Sequence, residues 1–277
     1  MTMRRWLITG VGSGLGRALA EAVLAEGECV AGTVRSEATR TAFEALAPGR
    51  AFGLLMEARD PVSVSTVVMD AERLTGGIDV LVANAGRGLV GALEETSLEE
   101  IRDLFEVNVF GPIALIQAML PAMRARRAGH IVNITSVSGL AAWVGTSVYG
   151  ATKYAMECVG ETLANEVREH GIKVTNVAPG GMRTDFAGRS LAMTAYRTPD
   201  YDGAARDADR AFASYGGQEQ GDPVRAAAAI IAAVRAPEPP VHLLLGKDAV
   251  HYAEEAIARL QGEIDRWRDL SLSTGFE

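Results

Sequence analysis

A doubly wound α/β architecture, one parallel sheet with helices on both faces in a single domain, follows from three observations. Short apolar runs of strand length alternate with helix-length amphipathic stretches along nearly the whole chain. Those runs are apolar at almost every position, the mark of strands buried on both faces. A glycine-rich turn, Thr9-Gly10-Val11-Gly12-Ser13-Gly14-Leu15-Gly16, joins the first run to the first helical stretch. At 277 residues the chain has room for one large domain, and no linker or change of composition divides it.

In chain order, residues 6–9 read as a buried strand and 15–26 as a helix. A strand over 29–33 precedes a helix over 37–46. Strands over 51–55 and 80–83 flank a helix over 62–74. A long helical pattern runs from 98 to 126, with Pro112 early and Pro121 late, so a kink or break is expected in it. A strand over 130–135, a helix over 149–169 and a strand over 173–178 follow. An alanine-rich helix over 222–235 leads to a last strand at 241–245 and a closing helix to about residue 267. Residues 185–221 stand apart: no strand is predicted there, and their position predicts a substrate lid or binding insertion.

Bulk properties exclude several functions. A formal charge of −8 argues against a nucleic-acid or anionic-membrane surface. Two cysteines, Cys29 and Cys158, and four scattered histidines leave no disulfide framework and no metal site. The N-terminus lacks the apolar core and cleavage site of a signal peptide, and no stretch approaches the length of a transmembrane helix. A cytoplasmic protein acting on a small molecule is expected.

Tyr149-Gly-Ala-Thr-Lys153 draws attention through lysine usage. Only three of 27 basic residues are lysines, and one stands a helical turn after a tyrosine. Positions i and i+4 share a helix face, so the ammonium can reach toward the phenol or a sugar hydroxyl. A fixed positive charge is expected to lower the phenol's pKa toward working pH, as a general acid/base requires. A surface Tyr and Lys on an amphipathic helix would look the same in isolation, so the neighbours decide.

The glycine turn is one such neighbour. Its position, opening a helix after the first strand, suits a diphosphate held by backbone N–H groups and the positive end of the helix dipole. The end of the second strand then discriminates between dinucleotides. An acidic residue there takes the ribose 2′-hydroxyl of NAD; an arginine takes the 2′-phosphate of NADP. Here the strand ends Thr33-Val34-Arg35-Ser36, with Glu28 at its start and Glu37 already in the next helix. Arg35, with Arg40 as a second cation, points to NADP in preference to NAD.

These residues together resemble the short-chain dehydrogenase/reductase family, whose members share this Rossmann fold. The stretch from 148 to 186 is most similar to its hydroxysteroid and retinol dehydrogenase branch. Thr9 to Gly16 resembles the Thr-Gly-x3-Gly-x-Gly loop, and Ala83-Asn84-Ala85-Gly86 resembles Asn-Asn-Ala-Gly. Val107-Asn108-Val109, Asn133-Ile134-Thr135-Ser136, Tyr-x3-Lys and Pro179-Gly180 through Thr184 follow in the family's order. The resemblance implies Asn108, Ser136, Tyr149 and Lys153 as catalytic residues. It implies cofactor contacts from Gly10, Gly12, Ser13, Gly14, Leu15, Gly16, Arg35, Asn84, Ala85, Gly86, Tyr149, Lys153, Pro179, Gly180 and Thr184. Asn84 and Asn133 are expected to act mainly as scaffold. Glu57 stands where many members place an Asp beside the adenine. Asn108, a poor helix former inside a helical pattern, would sit at a local irregularity whose carbonyl holds a water in a proton relay to Lys153. No metal is needed.

The implied reaction is hydride transfer between a nicotinamide and an alcohol/carbonyl carbon. Tyr149 would be the general acid/base, Ser136 a hydrogen-bond donor to the reacting oxygen, and Lys153 the ligand of the nicotinamide ribose. Ser138, Leu140, Trp143, Met182 and Phe186 are expected around the substrate, with Arg87 and Leu89 at the mouth, although Trp143 could equally be plain packing. The apolar lining predicts a hydrophobic carbonyl or secondary alcohol. A sugar-nucleotide epimerase or dehydratase would show another glycine spacing and a longer C-terminal domain. A non-enzymatic dinucleotide sensor would commonly lose the Tyr or the Lys. The resemblance also implies a homodimer or homotetramer, built on the helices that begin near Leu98 and at Tyr149.

Overall fold

The computed structural model describes residues 3–203, 206, 207, 210 and 217–276. Its strands are β1 (Arg5–Ile8), β2 (Cys29–Val34), β3 (Ala51–Leu55), β4 (Val80–Ala83), β5 (Gly88–Val90), β6 (Gly129–Ile134), β7 (Ile172–Pro179), β8 (Leu191–Met193) and β9 (His242–Leu245). The α-helices are α1 (Gly14–Ala25), α2 (Glu37–Glu44), α3 (Pro61–Thr75), α4 (Leu98–Phe105), α5 (Gly111–Arg126), α6 (Ser147–Glu166), α7 (Pro223–Arg235) and α8 (Lys247–Leu272).

Seven strands pair in parallel in the order β3-β2-β1-β4-β6-β7-β9. Alternation along β1 shows how both faces are covered. Trp6 and Ile8 point into a core shared with α1 and α7, including Leu19, Val23, Ile230 and Ile231. Leu7 points the other way, with Leu81, Ile131 and Val174, into a core shared with α3, α5 and α6. The order reverses between β1 and β4, and the carboxyl ends of two such strands form the crevice where this architecture binds ligands.

Side-chain caps fix the starts of four helices. Ser36 Oγ accepts from Thr39 N–H at α2, Asp60 Oδ1 from Val62 N–H at α3, and Asp222 Oδ1 from Val224 N–H at α7. Ser97 and Glu100 form a reciprocal capping box at α4. Gly76, at φ 76°, ends α3 in the left-handed region.

Three expectations need correction. The break in the 98–126 helix lies at neither proline. It is a single π turn, Glu106–Phe110, centred on Asn108. Pro112 occupies the first turn of α5, where its missing N–H costs nothing, and Pro121 sits inside a continuous helix. The 98–126 run does contain an 18-residue window with the length and hydropathy of a membrane span, at a mean hydropathy of 1.4. Its apolar character reflects packing, since Leu104, Val109, Leu115, Ile116, Met119 and Met123 are buried beneath the sheet. Finally, the 185–221 insertion does contain a strand. β8 pairs in parallel with β5, Gly88 to Leu191 through Val90 to Met193. Within that insertion, residues 204–205, 208–209 and 211–216 lie outside the described residues.

The insertion is tied down at one point by a buried ion pair. Glu95 and Arg206 are both buried, and Arg206 Nη1 donates to Glu95 Oε2 at 2.7 Å. Glu95 also accepts from the backbone N–H groups of Ala92 and Thr198. These donors, the Arg206 bonds first, hold the Glu95 carboxyl down at about 2.

Candidate active site

The crevice begins at the end of β1. Thr9 Oγ1 accepts from the N–H groups of both Asn84 and Ala85 at 2.9 Å, and Asn84 Nδ2 donates to Thr9 O at 2.7 Å. The loop after β1 and the loop after β4 are thus one unit, and Asn84 is its clasp. Gly10 and Gly14 have φ of 75° and 59°, where a side chain would be strained. A methyl group at Gly16 would lie 2.4 Å from Asn84 Nδ2 and 2.5 Å from Gly10 O, so only glycine fits at that turn of the helix. Ser13, the N-cap of α1, makes no side-chain capping bond, in contrast to the caps of α2, α3 and α7. The first turn of α1 holds no acidic residue either. Its leading N–H groups and dipole therefore face the crevice without a side chain in competition, as an anion-binding end requires.

The Pro179-Gly180 segment closes the opposite wall. A methyl group at Gly14 would lie 3.5 Å from Thr184 Cβ, which puts Thr184 against the glycine loop. Asp248, in the first turn of α8, holds this segment by accepting from Gly181 N–H at 2.7 Å. A methyl group at Gly180 would meet the same carboxylate at 2.3 Å. Sequence reasoning missed Asp248; its position just after a strand end was the available signal.

The four residues expected to carry chemistry come from three separate elements. Ser136 follows β6 in an extended conformation, and its Oγ accepts from Ser138 N–H at 3.1 Å. Tyr149 and Lys153 lie on α6, both buried. Asn108 projects from the π turn, its Oδ1 accepting from Arg87 N–H at 3.0 Å and its Nδ2 donating to Arg87 O at 2.8 Å and Thr152 Oγ1 at 3.1 Å. A methyl group at Gly86 would lie 3.2 Å from Asn108 Oδ1 and 3.7 Å from Lys153 Nζ, so these polar ends converge on one point at the crevice floor. Lys153 Nζ donates to Ile134 O at 3.0 Å and lies 5.8 Å from the centroid of the Tyr149 ring.

Electrostatics reverse one expectation. Burial drives the Tyr149 phenol up to about 12, against a hydrogen bond with Ser136 that pulls it down. Burial likewise pushes the Lys153 ammonium down to about 8, against the nearby negative charge of Glu157. Loss of water outweighs the proximity of the cation, because an ion in a low-dielectric pocket forfeits its hydration. The protein alone therefore holds a neutral phenol, the form that can donate a proton.

Glu157 was not foreseen. It lies one turn beyond Lys153, is 5% exposed, and is held from several sides. Thr135 Oγ1 donates to its Oε1, Asn176 Nδ2 to its Oε2 at 3.0 Å, and His242 Nδ1 lies 3.1 Å from Oε2. Asn133 extends the network by donating to Asn176 Oδ1 at 3.0 Å. The i+4 spacing was visible in the sequence; its burial depends on β7 and β9.

The expected pocket residues divide. Phe186 sits 6.0 Å, ring to ring, from Tyr149, and packs with Leu89, Leu104 and Val148 in a small apolar cluster beside the phenol. Ser138 and Leu140 are half-buried on the turn after Ser136. Trp143 turns to α8, its ring edge-on to Tyr252 at 4.3 Å. Met182 forms a parallel bridge with Gly221 and packs on the α1/α7 core, away from the apolar cluster around Tyr149. At the end of β2, Arg35 is exposed. Arg40 pairs with Glu37 at 2.7 Å and lies across Gly53. Glu28 is no ribose ligand, since it accepts from the Trp6 indole at 2.6 Å and pairs with Arg235. Glu57 caps its own turn by accepting from Arg59 N–H at 3.2 Å. Arg87 and Arg59 both pair with Asp103, and Arg35 and Arg59 add positive field at Arg87.

A doubly wound sheet with an open helix N-terminus at its switch point, and a Ser, Tyr, Lys and Asn around the same crevice, defines a class. The family model for short chain dehydrogenases matches residues 4–194, and the protein belongs to that family. A short-chain dehydrogenase structure from Streptomyces avermitilis is 40% identical, with a TM-score of 0.93 and 99% of each chain covered. A Burkholderia phymatum short chain dehydrogenase/reductase in complex with NAD is 26% identical, with a TM-score of 0.80 and 96% and 95% of the two chains covered. Human retinol dehydrogenase 8 is 39% identical over 195 residues, which span 69% of this chain and 62% of the human protein.

Proposed function

We propose that the protein is an NADP-dependent oxidoreductase that interconverts a secondary alcohol and a ketone or aldehyde on a hydrophobic small molecule. The observation that carries this reading is the convergence of Lys153 and Asn108 at Gly86, with Tyr149 on the same helix as Lys153 and an apolar cluster beside the phenol. The uncapped start of α1 and the close-packed Gly10, Gly14 and Gly16 fit the diphosphate of a dinucleotide, and Thr184 and Gly180 fit its nicotinamide half.

When bound, the nicotinamide supplies or accepts the hydride. The protein's own residues handle the proton and the orientation. In reduction the Tyr149 phenol, neutral up to about 12, gives its proton to the carbonyl oxygen as charge develops there. Ser136 donates a hydrogen bond to the same oxygen and shares that charge. Lys153 orients the ribose hydroxyls and stabilises the phenolate left behind. Asn108 holds the Arg87 backbone beside Lys153, where water can return a proton. Leu89, Val148 and Phe186 favour an apolar substrate and exclude bulk water from the phenol.

Preference for NADP rests on Arg35 at the end of β2, where no free carboxylate competes, and on the positive field it shares with Arg59 and Arg87. The retinol dehydrogenase likeness agrees with an elongated apolar substrate. The exposed Leu98, Phe110 and Tyr154 on the 98–126 run and α6 fit a homodimer face. A panel of aliphatic, aromatic, terpenoid and steroid ketones and aldehydes, followed by loss of NADPH absorbance, tests the activity. Turnover confined to apolar carbonyls supports the reading; no turnover of any carbonyl or matching alcohol with either dinucleotide would refute it.

A further inference from the structure

Helix α8 outruns the body it packs on. Its first turns are anchored through Ala249 and Ala253, both buried, and through Tyr252 and Ala256, which pack with Val137, Ala141 and Leu244. From Ile257 to Leu272 no residue is buried. The helix nonetheless continues without a break, closing with Ser273 N–H donating to Asp269 O. Sixteen further residues extend it by about 24 Å.

The overhang keeps the pattern of a buried helix. Positions 249, 253 and 256 on the docked part are followed at spacings of three and four by Leu260, Ile264 and Trp267, with Ile257 alongside. The face that seals α8 to its own body thus continues past it, with exposures of 69% at Ile257, 59% at Leu260, 46% at Ile264 and 54% at Trp267. Such a stripe calls for a partner. Across residues 254–272 five acidic residues outnumber three arginines, which disfavours an anionic bilayer.

We propose that this stripe is a contact between two copies of the chain, paired antiparallel through their α8 overhangs. The direction follows from sterics. A parallel partner would have to run where each helix already faces its own body, whereas an antiparallel one meets the overhang and the exposed turn that precedes it. With the two-fold beside Gly262, Ile257 faces Trp267 of the second copy and Leu260 faces Ile264. The same register sets Glu254 opposite Arg268 at both ends, an opposite-charge pair on the rim. This contact is separate from the homodimer face suggested above for the 98–126 run and α6, and does not depend on the reaction proposed.

Sedimentation over a range of concentrations tests it, with circular dichroism and turnover as controls for folding. Leu260→Asp with Ile264→Asp should remove one step of association, halving the mass of the native assembly, while turnover per site is unchanged. Glu254→Arg or Arg268→Glu alone should weaken self-association about tenfold, and the two together should restore it. An unchanged mass in the apolar variant overturns the proposal. So does a double reversal that restores nothing, which removes the antiparallel register. Flotation of the native protein with phosphatidylserine vesicles, abolished by the apolar variant while the mass stays constant, would assign the stripe to a membrane instead.

Discussion

Asn108 and Arg87 exchange hydrogen bonds, the Asn108 amide accepting from the Arg87 N–H and donating to the Arg87 carbonyl. The exchange fixes the chain just after Gly86, at the point where Lys153 Nζ comes closest to the loop. It also explains the π turn. One extra residue in the helix swings the Asn108 side chain inward, where a regular helix would carry it past the crevice.

Replacing Asn108 by Ala leaves the Arg87 N–H and carbonyl without their amide partner, while the Thr152 hydroxyl keeps only its bond to Tyr149 O, at a cost of about 1–3 kcal/mol. We expect a lower unfolding midpoint in urea and a fall in kcat of about tenfold or more. Asn108→Asp should retain the acceptor, lose the donor, and recover less than half of the loss in either assay.

The pH dependence of reduction should report Lys153. Its folded-state value of about 8 lies below the ordinary 10.5. The ammonium is therefore present below pH 8 and lost as pH rises through it, while the Tyr149 phenol keeps its proton to about 12. We expect kcat/KM for carbonyl reduction to be flat from pH 6 to 7.5 and to fall above about 8. Glu157 supports the charge on Lys153, so Glu157→Gln should move that falling limb to lower pH. A limb that stays in place in this variant would remove Glu157 from the account.

Acid stability follows from two buried groups. Burial holds His130 down to about 4 from 6.5, so the unfolded chain binds the extra proton between those values. Stability then drops as pH falls from 6.5 toward 4, by roughly 2–3 kcal/mol for this group. Glu95, held at about 2 from 4.5, contributes stability that is present above 4.5 and lost as pH falls toward 2. Urea unfolding across this range should show a two-stage decline. His130→Gln should flatten the upper stage, and Glu95→Gln the lower.

For the dinucleotide, Arg35→Glu places a carboxylate at the end of β2, near a 2′-phosphate and ready for a 2′-hydroxyl. Fluorescence titration should show affinity for NADPH falling by about tenfold to a hundredfold, with affinity for NADH unchanged or improved. Equal losses for both cofactors would contradict the preference for NADP.

What the sequence disclosed depended on how local the signal was. The glycine turn after β1 and the Tyr149/Lys153 pair are short patterns whose spacing fixes their local geometry. Asn108 announced an irregularity through its poor helix propensity, yet the prolines drew the expected break elsewhere. β5 and β8 are three residues each and pair across a hundred positions, so no period could reveal them. Glu157 and Asp248 look like surface carboxylates on their helices. Only the packing of β7 and β9 buries the first, and only the turn after β7 engages the second. The direction of the Tyr149 shift was misjudged for a related reason, because proximity of charge is visible in a sequence and desolvation is not.

Tyr149 as the acid/base group is the centre of the account, and Tyr149→Phe removes its hydroxyl while keeping the ring that packs on Phe186. Turnover of an apolar carbonyl identified with the native enzyme should be measured beside NADPH affinity by fluorescence. A fall in kcat of about 10²–10⁴-fold with unchanged cofactor affinity is the predicted result. Undiminished turnover with intact cofactor binding would contradict it.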